Sequence, residues 1–399
     1  NLDVRLQQAA ATALGEHAGA VVGLDPRNGA VRVLLSWPSY DSNLFVGGLS
    51  VADYRALTTA PGRPLVNRAL RGEYPPGSTL KPFLGLAGLH TGVATEQTHA
   101  WCPGFFRLPG VRRPWRCWRA GGHGTVDLRA AISRSCDVYF YELAHRMGIS
   151  RLHDELAPFG FGRATGVDLP SERDGLLPSP EWKRRVRGQP WYPGETVIAG
   201  IGQGYMLTTP LQLAAATAVI AARGTVHTPR VAGVAPARPP VDIALPHWNA
   251  VRAAMEDVVH GATGTARNSA LGATYRYAGK TGTAQVFTLP ADRAAAKGRP
   301  KHLEDHALFI AYAPADAPEL ALAVVAEHAG SGSGAAAPIA RAVLDAAFGP
   351  PPAPPAVAGV PGDTAASHDP AGPAGTAAGR TVRADAPTAA PAPADAGRR

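Results

Sequence analysis

The chain has 399 residues, 45% of them hydrophobic, which excludes a wholly disordered protein because this fraction can bury a real core. Its length suits one large domain with extensions, or two or three average domains. The formal net charge of +8 is compatible with nucleic acid, an anionic membrane or an anionic substrate as a partner. The densest basic cluster, Lys183–Arg187, accompanies no nucleic-acid-binding signature. We therefore expect no nucleic-acid partner, and a solvated surface is the simpler interpretation of this cluster.

Hydrophobic periodicity predicts a helix over Leu2–Leu14 and then a β-hairpin with strands over Ala20–Leu24 and Val31–Ser36. Both strands are apolar nearly throughout, so we expect both to be central in their sheet. The middle of the chain is helical and rich in loops, with helices predicted over Leu80–His90, Leu128–Met147, Ser150–Phe159, Pro210–Arg223 and Trp248–Val259.

The pattern then returns to strands, which are predicted over Tyr275–Val286, His306–Ala313 and Leu320–His328. A helix over Ala335–Phe348 follows, after the glycines of residues 330–334 break the pattern. Strands near both ends of this region, with helices between them, predict a mixed α+β fold whose sheet is assembled from the two ends.

Residues 350–399 differ in composition from the rest of the chain. They contain 16 Ala and 11 Pro but no aromatic residue, Leu, Ile or Met, so little apolar burial can offset the entropy of ordering. We predict a disordered tail here and a folded region over residues 1–349.

No apolar run reaches the roughly 18–20 residues that span a bilayer. The first residue is not Met and no signal peptide is visible, so we expect an upstream anchor to be missing.

The first motif that carries chemistry is Ser78-Thr79-Leu80-Lys81, at the start of an apolar helix. A serine at a helix N-terminus lies beside backbone N–H groups that favour developing negative charge. Lys81 lies on the same helix face, and its amine can activate the hydroxyl if burial keeps it neutral part of the time. The alternative is that Ser78 caps the helix and Lys81 is solvated.

Two further motifs follow, Ser135-Cys136-Asp137 and Lys280-Thr281-Gly282-Thr283. Ser135 could relay a proton, and Asp137 could accept a hydrogen bond from the substrate or from a lysine. The glycine on the later strand lets a substrate backbone approach closely, while Lys280 supplies positive charge and Thr283 a hydroxyl. Taken singly, the two motifs are equally consistent with a helix cap and a strand with a bulge.

Together, however, the three motifs occur in the order S-x-x-K, S-x-[ND] and K-T-G, about 55 and 140 residues apart. The chain thus resembles the transpeptidase domain of class B penicillin-binding proteins, most closely the penicillin-binding protein 2 subgroup of the elongation machinery. The resemblance extends over residues 1–349 and includes the segments Gly121–Leu128, Cys136–Tyr141, Gly188–Glu195 and Gly200–Tyr205.

The resemblance implies the penicillin-binding protein and serine β-lactamase-like fold, a central antiparallel sheet flanked by helices, with a helical subdomain. It implies a serine D,D-transpeptidase that cross-links peptidoglycan stem peptides, releases D-Ala and is inhibited by β-lactams. Ser78 would be acylated, Lys81 would be the base, and Ser135 with Lys280 would relay protons. The backbone N–H groups of Ser78 and Thr283 would form the oxyanion hole. The expected substrate contacts are Asp137, Thr281, Gly282 and Thr283.

The same resemblance implies a location at the periplasmic face of the inner membrane, an upstream anchor and pedestal domain, and a SEDS-family glycosyltransferase with the elongation complex as partners. No organic cofactor is expected. Asp137 departs from the commoner S-x-N pattern, which leaves its substrate contacts open. A β-lactamase and a non-catalytic scaffold or antibiotic sensor are the two rival interpretations.

The chain has three cysteines, Cys102, Cys117 and Cys136, within 35 residues of one another and with His123 among them. Three thiolates and an imidazole make a tetrahedral Cys3His set of the kind that binds structural zinc. A Cys102–Cys117 disulfide and unbonded thiols are the alternatives. The resemblance favours zinc, because the penicillin-binding protein 2 relatives hold zinc at this place through Asp, Cys and His.

Overall fold

The computed structural model describes residues 1–286 and 300–350, so the predicted tail lies outside the described residues except for residue 350. The strands are β1 (Gly19–Leu24), β2 (Val31–Trp37), β3 (Ala100–Cys102), β4 (Phe105–Phe106), β5 (Trp115–Arg116), β6 (Gly124–Val126), β7 (Val226–His227), β8 (Ala237–Arg238), β9 (Ala278–Ala284), β10 (His306–Ala313) and β11 (Leu320–Ala326). The helices are α1 (Val4–Leu14), α2 (Val51–Thr59), α3 (Arg68–Arg71), α4 (Lys81–His90), α5 (Leu128–Ser133), α6 (Asp137–Met147), α7 (Ile149–Leu156), α8 (Pro180–Arg187), α9 (Pro193–Ala199), α10 (Pro210–Ala221), α11 (Leu245–His260) and α12 (Ala337–Phe348).

A five-stranded antiparallel sheet forms the centre of the fold, in the order β2-β1-β11-β10-β9. The predicted assembly of one sheet from the two ends of the region is therefore confirmed. Every residue of β1 and β11 is buried, which explains why these strands are apolar throughout. The prediction that β2 is central was wrong: it is an edge strand, and its residues alternate between buried and partly buried positions.

Helices cover the sheet and build a second, helical part beside it. Helices α1 and α12 pack against each other and against the sheet, and α10 packs against β1, β10 and β11. Helix α4 is buried over nearly its whole length and contacts α5, α6, α7 and α11. Because α11 also contacts β9, it joins the helical part to the edge of the sheet. No helix among residues 1–286 and 300–350 is long and apolar enough to cross a membrane.

The single helix predicted over Leu128–Met147 is in fact two helices, α5 and α6, separated by Arg134–Cys136. Ser135 lies in this break with a φ of +55°, a left-handed conformation that costs a residue with a Cβ about 1 kcal/mol or more. Side-chain periodicity misses the break because both flanking segments are apolar at helical spacing. The break turns Ser135 out of the helix and puts Asp137 at the first position of α6.

His306 begins β10 opposite Ala284 of β9 and is partly buried. Burial and the adjacent His328 lower its pKa from 6.5 to about 4, although Glu327 opposes this shift. The backbone N–H of His328 donates to Nδ1 of His306 over 3.0 Å, and only a neutral imidazole can accept that bond. The ring of Tyr74 also faces His306 edge-on, with 5.5 Å between the ring centroids. The folded protein therefore favours the neutral form of His306.

We expect this histidine to make the free energy of unfolding depend on pH. Because the unfolded chain binds this proton at higher pH than the folded chain, stability falls as pH falls from about 6.5 towards about 4. Between about pH 7.5 and about pH 5, the unmodified protein should lose more of its free energy of unfolding than the His306→Gln variant does. We expect the difference to be about 1 kcal/mol, with allowance for solvent screening. Denaturant unfolding at both pH values measures the difference, and the exposed His99→Gln is the matched control. Equal pH dependence in the His306→Gln variant and the unmodified protein would contradict this prediction.

Candidate active site

Ser78 lies in a 3-10 turn, Gly77–Leu80, that runs directly into α4. The residue before it, Gly77, has a φ of +54°, and a Cβ at this position would lie 2.5 Å from the carbonyl oxygen of Thr283. Glycine is needed here because both the left-handed conformation and the close backbone contact exclude a side chain. This packing brings Ser78 against the outer edge of β9.

Lys81, the first residue of α4, is fully buried and joins the first two motifs. Its Nζ lies 2.6 Å from Oδ1 of Asp137, 3.2 Å from Oγ of Ser135 and 3.0 Å from the Ser135 carbonyl oxygen. The other carboxylate oxygen of Asp137 accepts the backbone N–H of Trp118 over 2.8 Å. The sequence suggests that Asp137 hydrogen-bonds either to the substrate or to a lysine, and in the structure it contacts a lysine.

Lys280 lies on β9 and is also fully buried. Its Nζ donates to the carbonyl oxygen of Thr281 over 3.0 Å. Burial, and then the positive charge of Lys81, hold the pKa of Lys280 well below its usual range, although Asp137 opposes them. A buried amine with a lowered pKa gives up its proton more easily than an exposed lysine does, as a proton relay requires.

Thr281, Gly282 and Thr283 continue along β9, which is the edge strand opposite β2 in the sheet. A Cβ at Gly282 would lie 2.7 Å from the methyl carbon of Thr79, so glycine allows the Ser78 turn to pack on the strand. The hydroxyl groups of Thr281 and Thr265 hydrogen-bond over 2.7 Å. The three motifs predicted from the sequence therefore meet where the Ser78 turn, the α5–α6 break and β9 come together.

The orientation of the backbone C=O and N–H groups of Thr283 follows from its position on β9. Its carbonyl oxygen accepts Nε2 of Gln203 over 2.9 Å, so it points away from β10. Because the N–H and C=O of one strand residue point to the same side, the N–H of Thr283 also points outward, towards the Ser78 turn. The N–H of Ser78, in the first turn of a helix, likewise has no intrahelical partner. These two N–H groups are therefore the candidate donors of an oxyanion hole.

From the sequence, the segment Gly200–Tyr205 is part of the family resemblance but has no assigned role. In the structure, Gly202 accepts the backbone N–H of Gly77 over 2.8 Å, and the neighbouring Gln203 holds Thr283. A Cβ at Gly202, where φ is +68°, would lie 2.3 Å from the Gly77 carbonyl oxygen. This segment thus holds Thr283 and the residue before Ser78, the two places that carry or adjoin the candidate oxyanion donors.

A cleft of about 460 Å³ opens over these residues. Beside the motif residues, its walls include side chains that the sequence analysis did not single out, namely Arg116, Trp118, Tyr141, Gln203, Thr265, Asp305 and Ser331. Tyr141 and Gln203 lie in segments of the family resemblance, but no local pattern assigns any of these side chains to the cleft, since the fold brings them together from separate segments. The cleft leaves room for an extended peptide beside Ser78.

The four predicted metal ligands, Cys102, Cys117, His123 and Cys136, form one cluster with all ligand atoms within 4.8 Å of one another. Nδ1 of His123 lies 3.7 Å from Sγ of Cys102 and 3.5 Å from Sγ of Cys117. Tetrahedral zinc with Zn–S bonds of about 2.3 Å and Zn–N bonds of about 2.0 Å would separate such atoms by about 3.5 Å. Among the described residues, neither Cys102 nor Cys136 forms a disulfide.

The chemistry of the cluster also fits a cation. A hydrogen bond with Cys136 lowers the pKa of the Cys117 thiol, and His123 adds to this effect while burial opposes it. The donor set, three sulfurs and one imidazole nitrogen, is the one zinc prefers in structural sites. The cluster is thus suited to zinc in donor type, number and spacing.

Comparison with known proteins identifies the family to which the chain is similar. Residues 19–345 match the family described as penicillin binding protein transpeptidase domain. The chain is 43% identical over 357 residues to the peptidoglycan D,D-transpeptidase MrdA of Haemophilus influenzae, covering 86% of this chain and 55% of that protein. It therefore spans about half the length of that curated relative.

Two solved structures are similar to the chain. Penicillin-binding protein 2 of Pseudomonas aeruginosa, in complex with WCK 5153, aligns with a TM-score of 0.79 and 46% identity, covering 86% of this chain and 74% of that one. Penicillin-binding protein 2 of Helicobacter pylori, in complex with MreC, aligns with a TM-score of 0.79 and 34% identity. The alignment covers 86% of this chain and 62% of that one. With a matching family over most of the chain and the three motifs around one cleft, the chain belongs to the penicillin-binding protein transpeptidase family.

Proposed function

We propose that this chain is the catalytic part of a peptidoglycan D,D-transpeptidase of the penicillin-binding protein 2 type, which cross-links stem peptides during cell elongation. The observation that carries the proposal is the convergence of three motifs on one cleft, with Lys81 within 3.2 Å of both Ser135 and Asp137. Residues 1–349 would form the transpeptidase domain. Family membership and the similar solved structures support this assignment.

In the proposed reaction, Oγ of Ser78 attacks the carbonyl carbon of the penultimate D-Ala. Lys81 takes the hydroxyl proton, after its own ammonium proton has passed to Asp137 across their 2.6 Å contact. The N–H groups of Ser78 and Thr283 stabilise the oxyanion. The C–N bond then breaks, and terminal D-Ala leaves with a proton relayed through Ser135 and Lys280.

The second half of the reaction uses the same groups in reverse. The amine of a neighbouring stem peptide attacks the acyl-enzyme, loses a proton to the relay and forms the cross-link, while Ser78 regains its proton. Thr281, Gly282 and Thr283 would bind the substrate backbone and carboxylate along the edge of β9. β-Lactams would acylate Ser78 in the same way as the peptide and block the cleft.

The resemblance also supports an assembly for the whole protein. We infer that the catalytic part works at the periplasmic face of the inner membrane, held by an upstream anchor, with a SEDS-family glycosyltransferase and the elongation complex as partners. One similar solved structure, from Helicobacter pylori, is a complex with MreC. No organic cofactor takes part in the proposed chemistry.

Intact-mass analysis after exposure to penicillin, followed by peptide mapping, tests the proposal directly. We expect one penicillin to be attached per chain, on Ser78, and Ser78→Ala to remove it completely. Stable one-to-one labelling supports a transpeptidase, whereas rapid turnover of a chromogenic β-lactam would indicate a β-lactamase. Attachment elsewhere, or none to the folded protein, would overturn the proposed function.

We also propose that Cys102, Cys117, His123 and Cys136 hold a structural zinc ion, which would crosslink this part of the chain. Cys117 and Cys136 precede Trp118 and Asp137, and the N–H of Trp118 donates to the carboxylate of Asp137 over 2.8 Å. Fixing the two cysteines therefore fixes the carboxylate that contacts Lys81. The zinc would support the site without touching the substrate.

Metal analysis of protein purified without added zinc should find about one zinc per chain. Cys117→Ala should reduce this to a small fraction, lower the thermal stability and slow the acylation of Ser78 together, because the same ligand holds both the fold and Asp137. A zinc content near zero, with the cysteines paired in mass mapping, would contradict the zinc proposal. That outcome would leave the proposed transpeptidase function intact.

A further inference from the structure

The segment from Gln97 to Val126, here called the basic segment, has an unusual charge distribution. It contains no Asp or Glu but five arginines, Arg107, Arg112, Arg113, Arg116 and Arg119. Such a run of uncompensated positive charge produces a local field that attracts anions. None of these arginines takes part in the proposed reaction.

One of them, Arg116, reaches the catalytic cleft. It lies on β5, whose backbone is held by pairing with β4 and by the Tyr141 hydroxyl, which donates to the Arg116 carbonyl oxygen over 3.1 Å. The side chain is exposed and lines the cleft that contains Ser78. It also lines a second cavity of about 250 Å³, whose walls include Arg107. The Arg116 side chain thus stands between the catalytic cleft and a neighbouring basic cavity.

The charge of Arg116 has no carboxylate partner in the part of the chain that the structure describes. Within residues 1–286 and 300–350, Arg116 forms no ion pair with a carboxylate. Of the acidic residues that line the cleft, Asp137 is engaged by Lys81 and Trp118, and Asp305 accepts the N–H of Val286. A guanidinium on a fixed strand, open to the cleft, is well suited to bind a carboxylate with two parallel hydrogen bonds.

We propose that Arg116 binds a carboxylate of the acyl-donor peptide, on the residues that precede D-Ala-D-Ala. This inference rests on the proposed function, which puts the D-Ala-D-Ala end at Ser78 and β9. The rest of the donor must leave the catalytic centre along the cleft, where Arg116 is part of the wall. Arg116 would therefore select donors that carry a free carboxylate over donors in which it is amidated.

A competition assay with the 399-residue chain tests the selection without requiring turnover. Two synthetic pentapeptides end in D-Ala-D-Ala, one with free carboxylates on its second and third residues and the other with primary amides there. Each is used to protect Ser78 from a fluorescent penicillin. We expect the carboxylate peptide to protect at a concentration at least about tenfold lower than the amide peptide. Arg116→Gln should bring the two concentrations close together by weakening only the carboxylate peptide, and Arg116→Lys should keep part of the difference.

Arg113→Gln is the matched control, because Arg113 is an exposed arginine of the basic segment that does not line the cleft. It should keep the preference for the carboxylate peptide, and thermal unfolding should show that all variants are folded. Equal protection by the two peptides in the unmodified protein would overturn the inference. If Arg113→Gln reduced the preference for the carboxylate peptide as much as Arg116→Gln does, the inference would also be overturned. The effect would then come from the overall positive charge of the basic segment. Failure of penicillin to label Ser78 would instead overturn the proposed function.

Discussion

Replacing Lys81 with methionine is expected to slow the acylation of Ser78 by about 10²–10⁴-fold, the range typical for loss of a general base. Lys81 is fully buried, and its Nζ contacts Ser135 and Asp137 at 3.2 and 2.6 Å. Methionine has a similar length but cannot accept a proton, so the packing is largely kept while the base is lost. The rate at which penicillin-labelled protein appears, followed by intact mass, measures the effect.

This substitution also leaves the carboxylate of Asp137 without its cation, which alone should cost about 3 kcal/mol of stability. The double variant Lys81→Met with Asp137→Asn removes both charges and keeps an acceptor for the N–H of Trp118. We expect it to recover much of the stability but none of the acylation rate. Acylation within a few-fold of the unmodified rate in either variant would show that Lys81 is not the base.

The sequence predicts the sheet and the motifs because their signals are local. Strands β1, β10 and β11 are continuous apolar runs, and the order of the three motifs is distinctive even though each one alone is not. The fold class and the family follow from these features, and both are confirmed. The roles of Ser78, Lys81, Ser135 and Lys280 stay predictions until labelling is measured.

The parts that the sequence does not predict depend on contacts between distant segments. The break at Ser135 is invisible to periodicity, yet it turns this hydroxyl towards Lys81. Likewise, β2 is as apolar as a central strand but pairs with no strand other than β1 in the described part of the sheet. Arg116 and Gln203 become functional candidates only when the fold brings them to the wall of the cleft.

Gln203 is the positioning residue for which we expect the second large effect. Its Nε2 donates to the Thr283 carbonyl oxygen over 2.9 Å, while Gly202 accepts the N–H of Gly77 over 2.8 Å. One short segment therefore holds the peptides on both sides of the candidate oxyanion hole. Because the negative charge appears only during acylation, a displaced N–H at Thr283 should affect the chemical step more than the binding of the ligand.

We expect Gln203→Met to lower the acylation rate constant about 10–100-fold, with little change in the concentration of penicillin needed for half-maximal rate. Methionine matches the length of glutamine but cannot donate to Thr283. Gln189→Met, in the exposed segment after α8, is the control and should change neither quantity. Stopped-flow labelling separates the two parameters. If Gln203→Met lowers only thermal stability, or weakens binding without slowing acylation, then Gln203 does not position Thr283 for the reaction.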